Sequence, residues 1–353
     1  LIQYTPTTKQ VAKRPLLIIP PWLNKYYVLD MQEHNSFVRW VVEQGQTVFL
    51  ISWRNPDADS PDKSFDDYLL EGPVEALEVI EEITGESEVN ALGYCLGGIL
   101  LACAIAWFSS RGEQPIKSGT YLTTLIDYTD VGDVKVFVDE KTVDRLERVG
   151  RHKGYIPGDN VAWGFRMLRA PDLIWSFVIN HYLLGKARVP FDLLFWNEDA
   201  TNMPLTAHLF FMRNMYMNNK LREPGGIELA GEPIDMANVD VPSYVLSTRD
   251  DHIAPWKTTY EATQLFGGNT KFVLGNSGHI AGVINPPTKT KYGYRTAKEN
   301  PPDAEHWLEA SKEHPGSWWP DWIRWVNRLS GGRVKARTPG SADYPPIEPA
   351  PGH

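Results

Sequence analysis

The stretch Val89-Asn-Ala-Leu-Gly-Tyr-Cys-Leu-Gly-Gly-Ile99 constrains the fold more than any other part of the chain. Val89, Ala91 and Leu92 read as the end of a buried strand. Gly97-Gly-Ile-Leu-Leu-Ala-Cys-Ala104 opens an apolar helix whose small residues permit close packing on a sheet. Between them, Gly93-Tyr-Cys-Leu-Gly97 has the spacing of a nucleophile elbow with cysteine in the usual serine position, a sharp strand-to-helix turn that lifts one side chain out of the sheet. A Cβ at either flanking glycine would crowd the neighbouring strand or helix. Cys95 would also stand at a helix N-terminus, where the dipole and unpaired N–H groups favour thiolate over thiol. Gly-x-Cys-x-Gly is short enough to arise by chance, and a free cysteine is commonly a core residue. The rest of the chain must therefore supply a base and an acid.

Alternation of elements surrounds this turn. Leu16-Leu-Ile-Ile19 is a continuous apolar run of the kind buried on both faces of a parallel sheet. It ends in Pro20-Pro-Trp22; neither proline has an N–H, so the Trp22 amide is the first that can point into a site beyond the strand. Asn35 or Ser36 can cap a helix through Glu43 that Gly45 closes, and Thr47 to Trp53 reads as a second strand. Pro73 is expected to start a helix stopped by Gly85, and Thr120 to Ile126 reads as a strand. Residues 1–14 are polar and give no clear element. Strand and helix in alternation mean an open, mostly parallel α/β sheet, with ligands bound beyond the carboxyl ends of its strands.

From Val131 to Val239 the rhythm breaks into aromatic helical segments, such as Leu173 to Ile179 and Leu209 to Tyr216, separated by loops rich in Pro and Asn. This is too long for a simple connection and is expected to be a cap over the strand ends. Strands resume at Pro242 to Ser247 and Thr270 to Leu274. Trp322, Trp325, Val326 and Leu329 share one face of a last helix ended by Gly331, and a Pro-rich tail is expected to be irregular. The expected division is a core over 1–130, a cap over 131–240, a second part of the core over 241–332 and the tail over 333–353.

An elbow nucleophile needs a base and a group to orient it, and on this architecture the chain order is nucleophile, acid, histidine, each after a strand. Cys95, an Asp after the first strand beyond the cap, and His279 fill that order. Asp251-His-Ile-Ala-Pro255 matches the acid turn Asp-x-apolar-x-Pro, whereas the register from Asp250 does not, so Asp251 is the expected acid. The backbone N–H groups of Leu96 and Trp22 are the expected oxyanion donors. A cysteine attacking an acyl thioester exchanges like for like and keeps the acyl group activated. With water excluded by an aromatic cap, a hydroxyl can then accept it.

Composition excludes some alternatives. The 353 residues are 42% apolar and 22% charged, with a net charge of −9, so a phosphate-backbone partner such as nucleic acid is not expected. Thirteen Trp point to large apolar walls. The two cysteines, Cys95 and Cys103, lie across a turn and along one helix, which makes a disulfide between them implausible. Their scarcity fits a reducing cytoplasm, and no apolar run is long enough for a transmembrane segment. A start at Leu1 instead of Met is expected of a processed or truncated product.

With these residues in place, nearly the whole chain resembles the catalytic domain of a class I poly(3-hydroxyalkanoate) synthase. The matching segments are Pro20–Asp30, Thr47–Pro56, Gly93–Gly98, Phe191–Asn202, Asp251–Trp256 and Ser277–Pro287. The resemblance implies the α/β-hydrolase fold, with a mostly parallel central sheet, helices on both faces and an inserted cap. It implies polymerisation of (R)-3-hydroxyacyl-CoA, with Cys95 as acyl carrier, Asp251 and His279 as its partners, and CoA as leaving group. It further implies a homodimer, a growing polyhydroxyalkanoate chain and the granule surface as partners, and a cytoplasmic location at granules. No cofactor and no metal are expected, CoA being part of the substrate. Tyr94, Trp196 and His252 are candidate substrate-contacting residues. Members of this class carry a further N-terminal domain before the region matched here. The competing readings are a cysteine-dependent acyl-CoA thioesterase or lactone hydrolase using the same three residues, and a catalytically idle fold that binds a ligand or polymer surface.

Overall fold

The computed structural model describes residues 1–350 apart from 58, 60, 61, 169–174, 176, 177, 187–191 and 290, with residues 165, 166 and 194 described by backbone only. Most of the aromatic stretch from Leu173 to Ile179, and Phe191 at the head of one matching segment, lie outside the described residues.

Nine strands form one sheet: β1 (Ile2–Gln3), β2 (Leu16–Ile19), β3 (Val48–Leu50), β4 (Val89–Tyr94), β5 (Ile116–Leu122), β6 (Ser243–Thr248), β7 (Thr270–Gly275), β8 (Tyr294–Thr296) and β9 (Lys312–His314), in the spatial order β1-β3-β2-β4-β5-β6-β7-β8-β9. The six from β3 to β7 in that order pair in parallel, and β1, β8 and β9 add antiparallel edges. Because side chains alternate across a strand, the apolar runs feed two separate cores. Leu17, Ile19, Phe49, Val89 and Ala91 pack under helices α2 (Glu75–Thr84) and α3 (Leu96–Ser110). Leu16, Ile18, Val48, Leu50 and Leu92 pack under α1 (Phe37–Glu43) and α4 (Trp319–Arg328), where Trp318, Trp319 and Trp322 enclose Phe37. Helix α3 is apolar on every side because it is covered on every side, its residues from Leu96 to Phe108 all being buried.

Four local expectations are corrected. Residues 1–14 contain two short strands, β1 and Gln10–Ala12, the latter paired with Arg333–Lys335 of the tail, so the tail is not wholly irregular. Pro73 does not start a helix. Ser64 caps one at Phe65, and Pro73 lies inside a π-helical turn, Leu70–Val74, that joins it to α2. A wider turn absorbs a residue that has no N–H to give. The strand expected over Thr120 to Ile126 is β5, which begins earlier and ends at Leu122, where Thr123 turns to φ +45°.

Between Leu122 and Ser243 the chain leaves the sheet. Its described helices include Glu140–Gly150, Gly158–Leu168, Asp192–Glu198 and Leu205–Phe211, with a π-helical continuation Met212–Met217. This segment contacts loops at the carboxyl ends of the strands. Asn202 bonds Asn55 and Pro56 after β3, Thr201 bonds the Trp22 and Leu23 carbonyls after β2, and Asp133 N–H donates to the His252 carbonyl after β6.

Candidate active site

Strand β4 delivers Cys95 to the carboxyl edge of the sheet, and the turn into α3 is as tight as geometry allows. Cys95 itself has φ +52° and ψ −117°, a conformation that costs a non-glycine residue energy and persists only when its surroundings enforce it. A Cβ on Gly97 would lie 2.0 Å from the Ile19 carbonyl oxygen, and one on Gly93 would lie 2.4 Å from the Gly98 Cα. The bend is held further by the Cys95 amide, which donates to the Leu122 carbonyl at 2.9 Å, and by the Thr124 hydroxyl, which donates to the Cys95 carbonyl at 3.4 Å.

The acid and the histidine arrive on the loops after β6 and β7. The Asp251 Oδ1 accepts the Ile253 and Ala254 amides, both at 2.9 Å, so the Asp-x-apolar-x-Pro turn is closed by its own first side chain. Its Oδ2 accepts from His279 Nδ1 at 2.6 Å. Asp250 instead is exposed, and its amide bonds the Ser277 carbonyl. The loop carrying His279 is pinned from below: the indole N–H groups of Trp318 and Trp319 donate to the Gly282 and Val283 carbonyls at 3.1 and 3.0 Å. With Nδ1 committed to Asp251, the other ring nitrogen serves Cys95, whose sulfur is in hydrogen-bonding contact with the imidazole.

Electrostatics follows from this packing. The Asp251 carboxyl group is fully covered, which by itself would raise its pKa, but the His279 charge and hydrogen bond and the two turn amides hold it below the ordinary carboxylate range. Burial likewise favours neutral His279, yet the Asp251 carboxylate and the Cys95 sulfur outweigh it and hold the imidazole well above its usual value. Cys103 is the internal contrast: it is buried in α3, and burial pushes its thiol up to about 12.

Leu96 N–H is the first amide of α3 and has no intrahelical acceptor. Trp22 follows the Ile19-Pro20 backbone that Gly97 abuts. The three candidate substrate-contacting residues fall in different settings. Tyr94 is buried beneath the site with its ring 5.6 Å from that of His279, and Trp196 is buried with its indole N–H on the Lys25 carbonyl at 2.8 Å. His252 is half-buried beside Asp251 and gives its carbonyl to Asp133. Sequence reasoning missed Tyr128 and Tyr216, whose phenols both lie within electrostatic range of the Cys95 sulfur. Tyr128 sits six residues beyond the end of β5, on a carboxyl-end loop of the sheet, and that position was the available signal. Among the described residues no group of three or more His, Cys, Asp or Glu side chains is arranged to hold a metal ion.

A family profile described as alpha/beta hydrolase fold matches residues 14–286. Two solved structures share the architecture at a TM-score of 0.50: MenH from S. aureus, 13% identical over 79% of this chain and 91% of its own, and a hydrolase from Pseudomonas aeruginosa PA01, 15% identical over 80% and 87%. Among curated proteins, the poly(3-hydroxyalkanoate) polymerase of Methylorubrum extorquens is 49% identical over 353 residues, covering all of this chain and 58% of that protein. The polymerase subunit PhaC of Cupriavidus necator is 46% identical over 358 residues, again over the whole chain and 61% of the relative. The chain thus spans about three-fifths of the length of the curated relatives it matches. A sheet order, an elbow and a full-length match that agree in this way leave one assignment: the chain belongs to the α/β-hydrolase fold family, as a relative of the poly(3-hydroxyalkanoate) polymerases.

Proposed function

We propose that this chain carries out acyl transfer from (R)-3-hydroxyacyl-CoA to a hydroxyl acceptor, building a polyhydroxyalkanoate with release of CoA. The observation that carries the reading is a strained cysteine beside an imidazole whose Nδ1 is bonded to a buried carboxylate at 2.6 Å. The Cys95 thiolate attacks the thioester carbonyl. The oxyanion is met by the Leu96 and Trp22 amides, the C–S bond to CoA breaks, and His279 gives its proton to the departing sulfur. The neutral imidazole then takes the proton of a 3-hydroxyl from a second unit or chain end, whose oxygen attacks the Cys95 thioester. An ester forms, the thiolate returns, and His279 is protonated again. Asp251 stays ionised throughout, fixing the Nδ1–H tautomer and stabilising the imidazolium. No further cofactor enters this scheme.

The names of the relatives support the polymerase reading over hydrolysis. In it the active form is a homodimer at the surface of the polymer granule in the cytoplasm. One observation agrees with an apolar partner: Trp163, Trp175, Tyr182 and Phe195 are exposed.

Incubation with (R)-3-hydroxybutyryl-CoA separates the readings. CoA release with growing turbidity is expected. Release with free 3-hydroxy acid would make the chain a thioesterase, and absence of release would make it a binder.

A further inference from the structure

Two buried donors beside the elbow lack an acceptor. The Trp22 indole N–H and the Tyr128 hydroxyl are each covered from solvent and make no hydrogen bond, although both residues stand on loops at the carboxyl edge of the sheet. Their rings meet a common neighbour, Phe211, at 6.4 and 6.0 Å between centroids, and the surrounding rings of Phe65, Tyr68 and Tyr216 line the same cluster. Of the other orphaned groups, the Tyr121 hydroxyl and the Trp107 indole belong to the interior of β5 and to the far turns of α3. A buried polar group without a partner in a native fold calls for one that arrives from outside. An indole N–H can only donate, and a phenol donates readily, so the visitor must bring an acceptor oxygen into an otherwise aromatic enclosure.

Resting on the acyl-transfer reading above, we propose that Trp22 Nε1 and Tyr128 Oη form a polar subsite for the oxygen on C3 of the acyl chain, the free hydroxyl of a monomer or the ester oxygen it becomes. The subsite lies on the side of the elbow, since Trp22 and Tyr128 belong to the buried cluster against which Cys95 packs and Trp22 follows the backbone that Gly97 abuts. It would discriminate 3-hydroxyacyl groups from plain acyl groups, because a chain without that oxygen leaves both donors unanswered. Trp22 and Tyr128 are thereby positioning and specificity residues, separate from the proton transfers of His279.

The test compares (R)-3-hydroxybutyryl-CoA with butyryl-CoA, which has the same length without the hydroxyl, on the 353-residue chain and on Tyr128→Phe. Tyr128→Phe removes one oxygen and leaves the ring packing. The expected result is a fall of about 5- to 10-fold in kcat/KM for the hydroxylated substrate, with single-turnover acylation of Cys95 by butyryl-CoA and the melting temperature unchanged. Equal losses on both substrates, or none on either, would overturn the subsite while leaving acyl transfer intact. No acylation of Cys95 by either thioester in the unaltered chain would instead overturn acyl transfer, and the subsite with it.

Discussion

The sheet and the segment inserted between β5 and β6 solve opposite problems. In the sheet, apolar side chains face inward on both sides, and three of its connecting loops deliver Cys95, Asp251 and His279 to one edge. In the inserted segment, apolar side chains also face outward: Trp163 is 54% exposed and Tyr182 85%. Its inner side supplies Phe211 and Tyr216 to the enclosure around the cysteine. The difference teaches that the rigid region fixes the reacting atoms, whereas the inserted one determines what surrounds them and what reaches them from outside. Substitutions in the two regions should therefore fail in different ways.

The largest effect is expected from Cys95→Ala, which should lower CoA release by about 10⁴-fold or more while the circular dichroism spectrum and melting temperature stay near those of the parent. Asp251→Asn comes next, with a loss of about 10²- to 10⁴-fold in kcat, because the carboxylate that fixes the tautomer and the imidazolium is gone. His279 is held above its ordinary value by Asp251 and Cys95, so the stability this provides is fully present below the ordinary histidine range. It fades as pH rises through the raised value. In Cys95→Ala the histidine titration followed by NMR should move down, and an unmoved midpoint would contradict the proposed contact. Gly97→Ala attacks the sheet side of the comparison at the elbow itself. Its Cβ has nowhere to go beside the Ile19 carbonyl, and denaturant unfolding should show a loss of about 3 kcal/mol. Tyr182→Ser on the inserted segment should change unfolding free energy by less than about 0.5 kcal/mol. A larger loss would mean that the exposed apolar side chain is already covered in solution.

Much of the site was legible because its signals are local. The elbow glycines are required by contacts a few residues or one strand away, and the Asp251 turn is closed within four residues, so spacing alone selected Asp251 over Asp250. Leu16-Leu-Ile-Ile19 was readable for a similar reason, a strand buried on both faces having no polar alternation to confuse it. The edge strands β1, β8 and β9 were not, since each is short and mixes polar residues, and only the neighbouring strand makes Tyr294–Thr296 a strand at all. Pro73 misled because its missing N–H is absorbed by a π turn that no propensity anticipates. Tyr128 offered only its place on a carboxyl-end loop as a signal, and Tyr216 none, for a tertiary reason: their meeting with Phe211 joins a loop after β5 to a helix of the inserted segment some ninety positions later.

Trapping the covalent intermediate tests the central claim most directly. The chain is mixed with (R)-3-hydroxybutyryl-CoA, quenched in acid within one turnover, and digested for mass spectrometry. A hydroxybutyryl thioester on the peptide containing Cys95, and none on Cys103, is predicted. CoA release without any acyl group on Cys95 would contradict the account.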